Sequence, residues 1–529
     1  MKTLTVLFIS ALCFGTVAHA DAGVSGVQKN QSNESSVDAG QAAELMNQDA
    51  GAGGERSEAQ KQKQISVVAN EDKPETLPAG KKTIQFSELR KNDEEQGPVQ
   101  RFMGLFGCLV TIGLAILMSR HRRSISWKLV GMGVALQLSF AVLVLKTAVG
   151  AAVFQHATGA VTRLLSFSVE GSRFVFGNLV DPFVPVAQSS GDPLGYVAQT
   201  GSAIAFGILP TILFFSALTS LLYHLGILQK VVRLMAWVMR RAMGTSGAES
   251  LSAAANIFVG QTEAPLMVKP YLRTMTQSEL MAVMTGGFAT VAGGVMAVYV
   301  GMLSGTFPDI AGHLLAASVM SAPASLVMAK IMVPETEEPV TATGDVEHLE
   351  DDSEEKASNV LDAVSKGTSD GLLLCLNVGA MLISFVALVA LLNFGVGSIG
   401  SLFGVENLSL QSILGWALAP FAFVLGVPWV DAVAVGGLMG TKTVINEFVA
   451  FMDLATMLQD GRLQSGKSVV IATYALCGFS NLASIGIQIG GLSTIAPSRR
   501  QDLARLGFRS MIAASLACFQ TAALAGILL

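Results

Sequence analysis

The chain has 529 residues, of which 51 % are hydrophobic and 14 % charged, with a mean hydropathy of +0.54 and a formal net charge of -5. That composition excludes an ordinary soluble enzyme, and the 54 glycines fit membrane helices, where Gly is frequent. There is no basic, aromatic-interleaved tract for nucleic acid and no HExxH, and the five cysteines (Cys13, Cys108, Cys375, Cys477, Cys518) show neither CxxC nor metal-like spacing.

The amino terminus reads as a secretory signal peptide over 1–20: Lys2 precedes an apolar run over 4–17, and Ala18-His19-Ala20 gives an AxA site with cleavage after Ala20. Residues 21–98 are rich in Ser, Gln, Asn, Glu, Lys, Gly and Ala. With so few aliphatics the stretch cannot bury enough surface to offset ordering entropy, and it reads as a disordered tail exported to the periplasm.

Beyond the tail the sequence changes solvent. Apolar segments run at 100–118, 128–150, 202–226, 279–303, 310–333, 371–395, 466–491 and 506–529. Each is near the ~20 residues that span a bilayer. Segments near 247–270, 413–428 and 431–452 are amphipathic or interrupted.

Basic residues set the orientation. Arg120, Arg122 and Arg123 follow the first span, Lys230, Arg233, Arg240 and Arg241 follow the third, and Arg499, Arg500, Arg505 and Arg509 precede the last. All three clusters fall in the cytoplasm if eight full spans leave both ends outside, which the exported tail requires independently. Arg499 and Arg500 are read as topology determinants. The segment 228–243 mixes Val231, Val232, Leu234, Met235, Trp237 and Val238 with basic residues, which fits a helix lying in the cytoplasmic interface. The acidic stretch 334–369 reads as a solvated cytoplasmic loop.

Two polar stretches interrupt this apolar sequence. One runs Asn256-Ile257-Phe258-Val259-Gly260-Gln261-Thr262-Glu263-Ala264-Pro265, the other Gly440-Thr441-Lys442-Thr443-Val444-Ile445-Asn446-Glu447. A carboxylate at bilayer depth costs roughly 2.5–3.5 kcal/mol on insertion scales, so each is a functional candidate. Each stretch is followed by a Gly-Phe phrase, Gly287-Phe288-Ala289-Thr290-Val291 and Gly478-Phe479-Ser480-Asn481-Leu482. An interrupted segment, a Gly-Phe helix and a further span in each half predict an inverted repeat with a site at the midplane.

The side chains suit a neutral, polyhydroxylated ligand better than an anion. Glu263 and Glu447 accept hydrogen bonds, Gln261, Asn446 and Asn481 both donate and accept, and Thr262 and Ser484 add hydroxyls. Lys442, the one nearby cation, is expected to snorkel to the interface. Asn256 and Thr290, with carbonyls freed where helices unwind, offer oxygen ligands for a small cation. Gln488 and Asn377 lie in spans without an assigned role.

These phrases, with Ala496-Pro497-Ser498-Arg499-Arg500, are similar in kind and order to those of the concentrative nucleoside transporters, from about residue 100 to the carboxyl end. The resemblance implies an all-α polytopic membrane protein of the bacterial inner membrane: eight transmembrane helices, two re-entrant hairpins, an interfacial helix, an inverted repeat and a homotrimer. It implies base contacts from Gln261, Thr262, Glu263 and Val295, ribose contacts from Glu447, Asn481 and Ser484 with Phe479 beside them, and sodium at Asn256, Val259, Thr290 and Val291. No other cofactor is implied. Thr290 stands where some bacterial relatives have Ser, which keeps the hydroxyl.

The expected division is scaffold helices and the interfacial helix over 99–246, the first hairpin and following core helices over 247–333, a scaffold helix with its periplasmic loop over 370–412, and the second hairpin with the final helices over 413–529. The function implied is import of nucleosides by a symporter driven by sodium, or alternatively by protons; an enzyme using the two glutamates as acid and base lacks a nucleophile or metal motif.

Overall fold

A computed structural model of the protein describes residues 89, 99–181, 183–187, 193–199, 203–342, 357–405 and 408–528. The chain divides into two units at Gly80/Lys81, and all described residues belong to the second. The signal peptide, the tail apart from residue 89, and residues 343–356 of the acidic loop lie outside the described residues.

The described part is helical apart from one short antiparallel ribbon. In chain order the helices are α1 (Val99–Leu117), α2 (Trp127–Lys146), α3 (Ala148–Phe176), α4 (Thr211–His224), α5 (Ile227–Met243), α6 (Gly247–Ala255), α7 (Gln277–Ala289), α8 (Gly293–Leu303) and α9 (Ile310–Met332). The second half has α10 (Val360–Leu402), α11 (Leu410–Val424), α12 (Trp429–Val444), α13 (Glu447–Gln459), α14 (Gly466–Leu476), α15 (Leu482–Ile495) and α16 (Arg500–Leu528). The ribbon pairs β1 (Phe183–Ala187) with β2 (Pro193–Gln199), and a π-helical turn over Ala203–Ile208 leads into α4. Neither α3 nor the ribbon is foreshadowed by the sequence pattern.

Six helical stretches are long and apolar enough to cross a membrane, by length and composition: Trp127–Lys146, Ile204–His224, Gln277–Leu303, Ile310–Met332, Val360–Leu402 and Pro497–Leu528. The expected spans at 100–118 and 466–491 appear as shorter apolar pieces, the second broken between α14 and α15. The six divide sharply by burial. In α7–α8, α9 and α16 between 83 % and 89 % of the apolar window is inside the protein, whereas for α10 it is 11 % and for α4 17 %. The first three form the core, and α4 and α10 pack on each other outside it with apolar faces open.

Helix α5 occupies the expected interfacial segment. It is bounded by Gly226 and Gly244, both left-handed, and buries Val232, Ala236, Met239 and Met243 along one stripe while Leu234 and Trp237 stay exposed. Helices α11 and α12 are bent by 118° across a break of four residues or fewer and pack backbone against backbone. A Cβ on Gly436 would lie 2.8 Å from the Gly415 carbonyl oxygen, so small residues are needed there. The chain breaks again between α12 and α13, at the second polar stretch, and α11 folds back upon α12.

Polar locks hold the helix ends on either side of the two polar stretches. Ser246 and Thr276 each make a capping box, with Glu249 and Glu279, and Ser246 Oγ donates across to Glu279 Oε1 at 2.6 Å. Lys330, buried, pairs with Glu249 at 2.7 Å and Glu335 at 3.1 Å. In the second half Asp431 accepts from the Gln464 and Ser465 amides at 3.0 and 3.1 Å.

Candidate functional site

The second tip is a sharp break. Helix α12 ends at Val444, and Asn446 takes an extended backbone and caps α13, its Oδ1 accepting from Val449 N at 2.9 Å. Glu447 is therefore the first residue of α13, where a helix amino terminus favours negative charge. Its side chain is buried. Asn481 Nδ2 donates to Glu447 Oε2 at 2.7 Å and Tyr299 Oη donates to Oε1 at 3.4 Å.

Asn481 is itself a helix cap: its Oδ1 accepts from Ser484 N at 2.8 Å at the start of α15. Along α15, Asn481, Ser484, Gln488 and Gly491 recur at helical spacing and form one stripe, ~15 Å long at 1.5 Å per residue. Ser484 and Gln488 are two of the three buried residues of α15.

The first tip reaches the far end of that stripe. Helix α6 stops at Ala255, and irregular turns over 256–263 lead into a short helical turn, Ala264–Val268. The tip packs so closely that glycine is required opposite it: a Cβ on Gly491 would lie 2.9 Å from Thr262 Cγ2, and one on Gly287 3.0 Å from Gln261 Cβ. Gln261 is buried and half-buried Thr262 donates to Glu263 Oε1 at 3.3 Å. Glu263 is exposed and folds back over Gly260.

Between the tips, the two Gly-Phe breaks meet. Gly478 has φ of 123°, and a Cβ there would lie 2.8 Å from the Phe288 carbonyl oxygen and 2.9 Å from that of Ala289. Only glycine permits both the backbone angle and the approach. Cys518 Sγ on α16 bonds the Cys477 carbonyl at 2.7 Å and lies 3.5 Å from that of Ala289, joining both breaks. Backbone freed from helical bonding is thus inside the protein, where irregular structure at bilayer depth is tolerated.

Of the four residues expected around a cation, Asn256, Thr290 and Val291 are buried and Val259 is half-buried. Thr290, extended at the α7–α8 break, donates to the Gly286 carbonyl at 3.0 Å, and a Cβ on Gly286 would lie 3.3 Å from Asn256 Nδ2. The Phe258 carbonyl accepts from Gly293 N at 3.1 Å, which sets Val259 beside the break that holds Val291. Asn256 Nδ2 donates to the Ser252 carbonyl at 2.9 Å, and its Oδ1, buried, has no hydrogen-bond partner among the described residues. A buried orphan oxygen beside freed carbonyls suits a hard cation.

Val295 is buried one turn before Tyr299 on α8, and Phe479 is half-buried against the core. Tyr299 escapes a sequence reading because an aromatic within an apolar run signals packing. Gln488 acquires a place: its Nε2 donates to the Met284 carbonyl at 2.9 Å, while its Oε1, like that of Gln261, has no partner among the described residues.

One expectation needs correction, and one residue gains contacts the sequence does not announce. Lys442 is fully buried and does not snorkel; its ammonium donates to the Ala475 carbonyl at 2.8 Å. Arg499, expected as a topology determinant, also donates from Nη1 to the Met275 carbonyl at 2.6 Å and the Arg273 carbonyl at 3.1 Å, tying the end of α15 to the segment before α7.

Comparison with known proteins decides the family. Three family models match: Na+ dependent nucleoside transporter N-terminus over 106–179, nucleoside recognition (Gate) over 205–306, and Na+ dependent nucleoside transporter C-terminus over 313–526. An uncharacterized transporter of Haemophilus influenzae is 44 % identical over 80 % of this chain and 96 % of its own length. Mouse solute carrier family 28 member 3 is 40 % identical over 81 % of this chain and 59 % of its own. The solved structure of CNTnw in an inward-facing substrate-bound state is 40 % identical, with a TM-score of 0.72 over 81 % of this chain and 97 % of that one. The chain belongs to the concentrative nucleoside transporter family. The relatives are transporters, not enzymes, so the polar tips of this concentrative nucleoside transporter call for an account of binding and movement instead of turnover.

Proposed function

We propose that the chain is a secondary active symporter that imports nucleosides across a bacterial inner membrane, driven by sodium. The observation that carries this is the α15 stripe. At one end Glu447, held by Asn481 and Tyr299, presents a buried carboxylate to sugar hydroxyls. At the other, Gln261 and Thr262 of the first tip lie over Gly287 and Gly491, with an unpartnered Gln261 amide oxygen among the described residues. A ribose therefore sits against Glu447, Asn481 and Ser484 beside Phe479, and a base against Gln261, Thr262, Glu263 and Val295.

Sodium binds the patch of Asn256, Val259, Thr290 and Val291. It joins the first tip to the α7–α8 break, so cation and nucleoside stabilise the same closed arrangement, each raising the affinity for the other by the same factor. The open apolar faces of α4 and α10 support a scaffold that meets lipid and other copies of the chain in a homotrimer. Counting α1 and the broken α14–α15 segment beside the six long stretches supports eight crossings with both ends outside and the tail on the periplasmic side.

The test is nucleoside uptake into proteoliposomes at fixed pH, with and without a sodium gradient. Accumulation that needs the sodium gradient is expected. Uptake that ignores sodium and follows a pH gradient contradicts the coupling ion, and flux that never exceeds equilibration contradicts active transport.

A further inference from the structure

Two buried amide oxygens meet at one glycine, and neither has a hydrogen-bond partner among the described residues: Oε1 of Gln261 on the first tip and Oε1 of Gln488 on α15. Both side chains pack on Gly287 of α7, where a Cβ would overlap Gln488 Nε2 and lie 3.0 Å from Gln261 Cβ. Gln488 is fully buried and Gln261 is 8 % exposed. A buried acceptor without a donor is costly, so each oxygen calls for a donor that arrives from outside the chain.

Gln488 is the less free of the two. Its Nε2 donates to the Met284 carbonyl at 2.9 Å, and turning the amide over would set its oxygen against that carbonyl oxygen. The amide is therefore held with its oxygen as the unbonded acceptor. Its place along α15 is also informative. Ser484, one of the sugar contacts, lies about one turn before it, and Gly491, which meets Thr262, lies nearly one turn after it. Gln488 thus stands between the sugar end and the base end of the stripe.

A base that serves both oxygens needs two N–H bonds close together. The exocyclic amino group of adenine or cytosine carries two hydrogens on one nitrogen. Hypoxanthine and uracil have a carbonyl oxygen in its place, which repels an acceptor, and a single ring N–H beside it. A site built to accept from N–H groups discriminates against a ligand that lacks them, because its own buried oxygens are then left unpaired.

We propose that Gln488 is a specificity-determining residue: its fixed amide oxygen, together with that of Gln261, receives the amino group of the base, so the site favours amino nucleosides over their oxo counterparts. This rests on the nucleoside reading above and adds to it which edge of the base is read.

The experiment is calorimetric titration of the purified full-length protein at saturating sodium with two matched pairs, cytidine against uridine and adenosine against inosine, for wild type and Gln488→Met. Methionine fills the volume without an amide. In wild type the amino member of each pair is expected to bind about threefold to tenfold more tightly, the range for one neutral hydrogen bond. In Gln488→Met the preference is expected to fall below about twofold, through weaker binding of the amino member. Removing the 3′-hydroxyl from the ligand is expected to cost the same in both proteins, which separates a contact with the base from a general loosening of the site. Equal affinity within both wild-type pairs, tighter binding of the oxo members, a preference that Gln488→Met keeps, or a 3′-hydroxyl cost that changes along with it would each overturn the proposal. If Gln488→Met fails to fold, the wild-type ratios still decide. Failure of the nucleoside reading looks different: wild type would bind none of the four ligands, whereas failure of this proposal alone leaves them bound without the preference.

Discussion

The two polar tips face one helix, α15, yet they are built in opposite ways. The second tip is finished: Asn446 caps α13, Asn481 caps α15 and also bonds Glu447, and Lys442 secures the end of α14. The first tip is open, with irregular turns over 256–263 and amide oxygens on Asn256 and Gln261 that lack partners among the described residues. A site assembled this way holds one part of its ligand by preorganised groups and completes the other only on binding. Preorganisation cuts the ordering cost of binding, so the finished tip suits the invariant part of a ligand class, the sugar, and the open tip the variable part together with the cation.

Substitutions at the finished tip are therefore expected to cost most. Glu447→Gln keeps shape but loses charge-assisted hydrogen bonds, worth about 1.5–3 kcal/mol for a bond to a charged group. Nucleoside binding by calorimetry should weaken by roughly tenfold to a hundredfold, with normal membrane insertion; unchanged affinity would remove Glu447 from the site. Gly478→Ala forces a side chain into the carbonyls of Phe288 and Ala289 at a left-handed angle. A loss of about 1–3 kcal/mol is expected from overpacking, read as a lowered melting temperature. A full-strength Gly478→Ala protein would mean the two breaks do not depend on their contact.

At the open tip the effects should be smaller and tied to sodium. Asn256→Ala removes the orphan oxygen and should raise the half-saturating sodium concentration by roughly fivefold, the equivalent of about 1 kcal/mol. Saturating sodium should return nucleoside affinity to the wild-type value. The smallest effect is expected for Tyr299→Phe, which deletes one long hydrogen bond to Glu447 at 3.4 Å. Its cost should be at most about 1 kcal/mol, seen as a severalfold weaker binding of ribosides.

Much of this comparison is legible in the sequence, because polar residues in apolar surroundings stand out whatever they do. The two tips, the Gly-Phe breaks and the polar residues Asn481, Ser484 and Gln488 of α15 stand out by that contrast, whereas Gly491 does not. Lys442 was misplaced for a physical reason: a lysine near a polar interruption is expected to reach water, and the alternative, a broken helix end within reach, exists only once α12 and α14 are folded together. Arg499 was hidden by sufficiency, since a basic cluster before the last span is already explained by topology. Glu249 pairs with Lys330 across distant segments, and no local pattern announces that partner. Helix α3 mixes small, polar and apolar residues without a strong period, and nothing in it signalled 29 helical residues.

The central claim is that the finished tip holds the sugar and the open tip the base. A double cycle tests it directly: wild type and Glu447→Gln are each titrated with a riboside, its 3′-deoxy analogue and a base-modified analogue, at saturating sodium. If Glu447 holds the sugar, removing the 3′-hydroxyl weakens binding to wild type but costs little further in Glu447→Gln, while the base change costs the same in both. If the deoxy and Glu447→Gln losses simply add, the carboxylate does not touch the sugar and the division between the tips is wrong.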